Sequence, residues 1–121
     1  MTQSSDIVFV NPNSTQSMTD KIVLSANTAL NNRRNVTGVT CFGAPSAIQG
    51  PSDAEKAKPI LFSNLKEAEK AESKLAVIAC FDDPFLFEAR RTISIPTIGI
   101  GWAAFTMCSL CLLYTSDAAD D

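Results

Sequence analysis

Leu75-Ala-Val-Ile-Ala-Cys-Phe-Asp-Asp-Pro84 is the stretch on which the fold turns. The apolar run Leu75 to Ala79 reads as a buried strand. Asp82, Asp83 and Pro84 read as a helix start, with acids at the positive end of the helix dipole and Pro in the first turn. A strand feeding directly into a helix is the building unit of a parallel α/β sheet. Cys80 stands at the junction, and open α/β sheets bind ligands beyond the carboxyl ends of their strands. The N–H groups of the following helix favour the thiolate, which is the reactive form. A free Cys is more often a small buried core residue; the crevice position reverses that preference here.

The same alternation extends in both directions. Upstream, Asp6 to Val10 is a short apolar strand ending in Asn11-Pro-Asn-Ser-Thr15, a turn rich in capping residues, with Ser14 or Thr15 as N-cap of a helix. Met18, Ile22, Ala26 and Ala29 recur at helical spacing and are expected to pack on the sheet as core. Asn35 to Cys41 alternates and is rich in β-branched residues, a second strand in which Cys41 is a structural filler. Phe42 to Ser52, with two Gly and two Pro, is a loop. Asp53 is expected to cap a helix over about Ala54 to Glu72 that Pro59 breaks, and its charge run Lys66 to Glu72 is a solvated face. Downstream, a short helix to about Arg91 precedes a fourth strand, Ile95 to Ile100, and a further helix from Trp102. The fold class is therefore α/β, a mostly parallel sheet covered by helices on both faces.

Composition narrows the function. The 121 residues suffice for one small domain, and 45% are hydrophobic. The net charge of −3 lies in Asp117, Asp120 and Asp121; without them acids and bases are equal. Neither a nucleic-acid nor a membrane partner is indicated, because no basic stripe is present and no apolar run is long enough to span a bilayer. His is absent, which removes His-based acid–base chemistry and most zinc sites. No metal and no cofactor are expected. Gly99-Ile-Gly101 lacks the third glycine of a dinucleotide fingerprint, Ala standing at 104, and it lies late in the sheet with no acidic residue following it in residues 102–110. The polar start, Met1 to Asp6, is unlike a signal peptide, so a reducing cytoplasm and free thiols are expected.

Residues 111–121, from Cys111 through Leu-Leu-Tyr-Thr-Ser-Asp-Ala-Ala-Asp to Asp121, resemble the in-frame translation of a sequencing adapter. Residues 1–110 are then the native part, a piece of a longer protein, and 111–121 a foreign tail. On that reading Cys108 and Cys111 do not form a meaningful C-x-x-C pair, and a lone pair is weak grounds for a metal in any case.

Three loops converge at the carboxyl ends of the strands. The first offers a helix N-terminus with the amides and hydroxyl of Asn11, Asn13 and Ser14, suited to a carboxylate or to the carbonyl oxygens of a cyclic imide. The second, around Pro45 and Ser46, offers backbone that can lie close to a small ligand. The third offers Cys80, with Phe81 and Asp82. Donors to a carbonyl beside a thiolate suit abstraction of a weakly acidic α-proton: the donors stabilise the enolate, and the thiolate is the base.

Asn11-Pro-Asn-Ser-Thr15 with Met18-Thr19, Gly43-Ala-Pro-Ser-Ala-Ile-Gln-Gly50, Val77-Ile-Ala-Cys-Phe-Asp-Asp-Pro84 and Ile95-Pro-Thr-Ile-Gly-Ile-Gly101 with Ala103-Ala104 together resemble the aspartate/glutamate/hydantoin racemase superfamily, over residues 6–110. Their nearest match is the hydantoin and allantoin racemase branch. The resemblance implies a cofactor-independent racemase of two similar α/β domains, of which this is the first. It implies two cysteines on opposite sides of a stereocentre, Cys80 matching the first-domain one and the second lying beyond this chain. The substrate would be a small cyclic imide or ureide, the intact protein could form homo-oligomers, and the fragment alone would be inactive. Asp82 and Trp102 depart from the family, which often has Gly and an acid there. Asp82 opposes the thiolate if it faces Cys80 and is harmless if it faces solvent, the arrangement favoured here. Phe81 suits a flat ring better than an amino acid. Two other readings stay open: an aspartate or glutamate racemase, or related decarboxylase or isomerase, on the same fold; and a non-catalytic α/β binding module with a structural Cys80.

Overall fold

A computed structural model describes the backbone of residues 5–120 and the side chains of residues 5–113. Four strands and four helices alternate: β1 (Ile7–Asn11), α1 (Gln16–Ala29), β2 (Val36–Thr40), α2 (Pro51–Lys70), β3 (Leu75–Ile78), α3 (Leu86–Thr92), β4 (Thr97–Gly99) and α4 (Ile100–Asp120). The strands form one parallel sheet in the order β2-β1-β3-β4. Ile7 pairs with both Val36 and Leu75, so the carboxyl ends of β1, β2 and β3 finish together along one edge.

Side chains alternate across the strands and divide the molecule into two layers. On one face Val8, Val10, Ala76 and Ile78 pack with Ala57, Leu61, Leu65 and Ala68 of α2 and with Leu86 and Ala89 of α3. These four α2 positions follow helical spacing, which is why this face became the core. Leu61 and Leu65 are fully buried, and each such leucine contributes about 1.5–3 kcal/mol. On the other face α1 lies over β1 and β2, and α4 starts against β4.

α1 does not pack as its apolar spacing implies. Its buried residue is Thr19, whereas Met18 is exposed and Ala29 is on the surface. The cause is polar. Asn11 Nδ2 donates to Thr19 Oγ1 at 3.0 Å, Thr19 and Thr40 share a 2.7 Å hydroxyl contact, and Thr40 Oγ1 donates to Gln16 Oε1 at 2.7 Å. Buried hydroxyls and amides must find partners, and this chain of them draws the Thr19 side of α1 onto the sheet. Gly38 of β2 makes room: a side chain there would strike Val23 and Thr19. Met18, Ile22 and Ala26 are left lining an open groove of about 450 Å³ with Phe9 and Ile100.

α2 also differs from its expected form. It starts at Pro51 after Gly50, and Asp53 acts from inside the first turn, its carboxylate accepting the Gln49 N–H at 3.0 Å. Pro59 lies within the helix without breaking it. Among the described residues no helix is long and apolar enough to cross a membrane.

Candidate functional site

In the order β2-β1-β3-β4, the chain leaves β1 toward β2 on one side and leaves β3 toward β4 on the other. The two connections diverge between β1 and β3, which is where an open parallel sheet has its ligand crevice. Asn11 ends β1 and Cys80 follows β3, so both sides of that crevice carry chemistry. Ala79 N–H donates to Val10 C=O at 2.8 Å and brings the two strand ends together. A cleft of about 400 Å³ opens there, lined by Asn11, Pro12, Asn13, Met18, Ile22, Ala47, Ile48, Ala79, Cys80, Phe81 and Ile100. No charged side chain belongs to that lining.

Cys80 is a free, half-buried thiol. It is not at a helix terminus. Pro84 disfavours the helical conformation in the residue before it, Asp83 and Phe85 adopt left-handed backbone with φ of 50° and 58°, and α3 begins only at Leu86. The helix expected to start at Asp82 therefore cannot stabilise the thiolate. Burial pushes the Cys80 thiol above its ordinary value; the Asp82 backbone N–H opposes that, and the charges of Asp82 and Asp83 add to it. The balance favours the thiol over the thiolate. Cys41, just past β2, is fully buried and also pushed up by burial, against the opposing hydrogen bond from Asn64 Nδ2 to its sulfur.

The Asn11–Thr15 loop is stitched internally. Asn11 is 2% exposed, and its amide donates to Asn13 Oδ1, Thr15 C=O and Thr19 Oγ1, while its own Oδ1 accepts the Asn13 N–H. Its polar atoms are spent on shape. Asn13 Oδ1 is held twice, by Asn11 Nδ2 at 2.8 Å and by Thr15 N–H at 2.9 Å. That fixes the orientation of Asn13, a lining residue of the cleft, and leaves its Nδ2 as the side chain's free donor among the described residues.

The other expected site residues are placed differently. Pro45 C=O accepts the Ser14 N–H at 3.0 Å, and Ser46 C=O accepts the Thr15 hydroxyl at 2.8 Å. Ser14, Pro45 and Ser46 thus tie the first two loops together and lie outside the cleft lining. Asp82 is exposed and lines a separate hollow of about 310 Å³ with Ile48, Glu55 and Phe85. Phe81 stands at the cleft, 57% exposed, with its ring edge-on to Phe105 at 5.4 Å. Met18, Ile22, Ile48 and Ile100 are lining residues that sequence reasoning assigned to the core or to no role. The pairing of a small Gly38 with the stripe Met18, Ile22, Ala26 is the signal that α1 leaves that stripe open.

Comparison with known proteins agrees with this architecture. The family model described as Asp/Glu/Hydantoin racemase matches residues 7–115. A hydantoin racemase of Rhizobium meliloti is 36% identical over 98 residues, covering 81% of this chain and 41% of that protein. A hydantoin racemase of a Pseudomonas species is 29% identical over 104 residues, 86% of this chain and 42% of the relative. The solved allantoin racemase from Klebsiella pneumoniae superposes with a TM-score of 0.81 at 28% identity, over 86% of this chain and 42% of that one. The chain spans about two fifths of the length of these relatives.

Proposed function

Since this chain belongs to the Asp/Glu/hydantoin racemase family, we propose that Cys80 is one of two acid–base thiols of a cofactor-independent racemase acting on 5-substituted hydantoins or allantoin. The observation that carries the reading is a half-buried thiol at the β1/β3 crevice, in a cleft whose lining is uncharged and largely apolar. An amino-acid substrate brings a carboxylate and an ammonium group, and this half of the site offers neither an opposing charge. A neutral imide ring needs only hydrogen-bond donors and an apolar wall. Asn13 Nδ2 is the donor and Phe81 the wall.

In the proposed reaction a thiolate from the second half of the intact protein removes the proton on the stereocentre. The electron pair moves into the neighbouring carbonyl, whose developing oxyanion Asn13 stabilises. Cys80, resting as a thiol, delivers a proton to the opposite face and becomes the thiolate that starts the reverse cycle. Asn11 holds Asn13, and Ser14, Pro45 and Ser46 hold its loop. Chemistry needs both thiols, so the 121-residue chain alone is inactive on this reading.

Decay of optical rotation of a single-enantiomer 5-substituted hydantoin, set against that of aspartate, tests the proposal in the full-length protein. Loss of rotation with the hydantoin alone supports it. Racemisation of aspartate alone assigns the protein to the amino-acid branch.

A further inference from the structure

Asp83 reaches across from the Cys80 loop to the start of α4. Its Oδ1 accepts the Gly101 N–H at 3.0 Å, and its own N–H donates to Cys80 C=O at 3.0 Å. One residue therefore holds the residue bearing the thiol on one side and the β4–α4 junction on the other. The room for it comes from Gly99: a Cβ there would lie 2.6 Å from the Asp83 carboxylate carbon and still closer to Oδ1. Asp83 adopts left-handed backbone, φ 50°, a conformation that Asp tolerates better than most side chains. Ile100, between the two glycines, lines the Cys80 cleft, so the clasp also sets that wall.

We propose that Asp83 is a positioning residue for Cys80, a clasp that fixes the thiol-bearing loop against the β4–α4 turn and that depends on Gly99 for its space. The functional consequence rests on the reading of Cys80 as an acid–base thiol; the clasp does not. A charge-assisted hydrogen bond between loops restrains both partners, and its loss frees the thiol to leave its half-buried position.

Two readouts test this in the 121-residue chain without substrate: amide exchange of Gly101, and the rate of Cys80 alkylation by iodoacetamide relative to exposed Cys108 in the same molecule. Asp83→Gly suits the left-handed backbone and should speed Gly101 exchange about tenfold or more, and should speed Cys80 alkylation more than Asp83→Asn, which removes the same charge but keeps the acceptor. Asp83→Asn keeps an acceptor and should leave Gly101 exchange within about threefold. Gly99→Ala should reproduce the Asp83→Gly effects in the native background, and add less than about twofold on top of Asp83→Gly. Equal effects of Gly99→Ala in both backgrounds, or unchanged exchange and alkylation in Asp83→Gly, overturn the clasp. A clasp confirmed in a protein whose full-length form racemises nothing would leave Asp83 in place and remove the racemase reading instead.

Discussion

Cys80 is governed by opposed influences that its position in the chain does not separate. Burial holds the thiol protonated, the Asp82 N–H favours the thiolate, and the acidic side chains of Asp82 and Asp83 work against it. We expect Asp82→Asn to speed Cys80 alkylation at pH 7 by about twofold to fivefold, since one like charge is removed from an exposed position; an unchanged rate would show that Asp82 does not act on the sulfur. The same shifts set how stability follows pH. Cys41 and Cys80 titrate higher in the fold than unfolded, so their contribution is fully present below about pH 8.5, the unfolded thiol value, and is lost as pH rises through the folded values. Asp6, lowered first by its bond from the Asn35 N–H, and Glu69, lowered first by the Ser94 N–H, contribute stability above about pH 4 that is lost on acidification. Urea midpoints across pH should therefore fall on both sides of neutrality, and Cys41→Ala should flatten the alkaline limb. Cys80 was legible from sequence because strand and thiol adjoin. The absence of a helix terminus beside it was not, because Pro84 and two left-handed residues delay α3 by a turn.

At the scale of elements, α2 is the most heavily buried helix of the core, and its contribution can be measured. Leu61→Ala should cost about 2–5 kcal/mol, as for other fully buried leucines, while Met18→Ala on open α1 should cost less than about 1 kcal/mol. Equal costs would mean that α1 packs as tightly as α2. Pro59, exposed inside α2, removes a helix donor; Pro59→Ala should raise stability by about 1–3 kcal/mol, read as a higher urea midpoint. All eight elements were recognisable from apolar runs and turn residues, with ends displaced by a few positions. What spacing concealed was the facing of α1. Met18, Ile22 and Ala26 have the period of a core stripe, yet the Asn11–Thr19–Thr40–Gln16 network, assembled from three separate segments, turns them toward the cleft and groove. Such networks are set by tertiary contact, and no local pattern announces them. The roles of Ser14, Pro45 and Ser46 were hidden for the same reason: their bonds join residues about thirty positions apart along the chain.

For the whole molecule, exposed apolar side chains recur on α4 and beside the cleft, with Leu24, Phe42 and Phe87 open elsewhere. Phe81, Trp102, Phe105, Met107 and Leu110 lie open on the part of α4 before residue 111 and beside the cleft. Phe81 and Phe105 touch, large exposed apolar patches normally meet another protein surface, and the chain spans about two fifths of its relatives. We propose that the rest of the intact protein covers these side chains and closes the second side of the cleft. The isolated chain should then associate as its concentration rises in sedimentation experiments, and the full-length protein should not share that dependence. The decisive observation belongs to the full-length protein: racemisation of a 5-substituted hydantoin by wild type and by Cys80→Ser, with deuterium uptake at the stereocentre followed in D₂O. We expect Cys80→Ser to slow racemisation by at least about a hundredfold. A Cys80→Ser protein that racemises as fast as wild type would contradict the assignment of Cys80 to the chemistry.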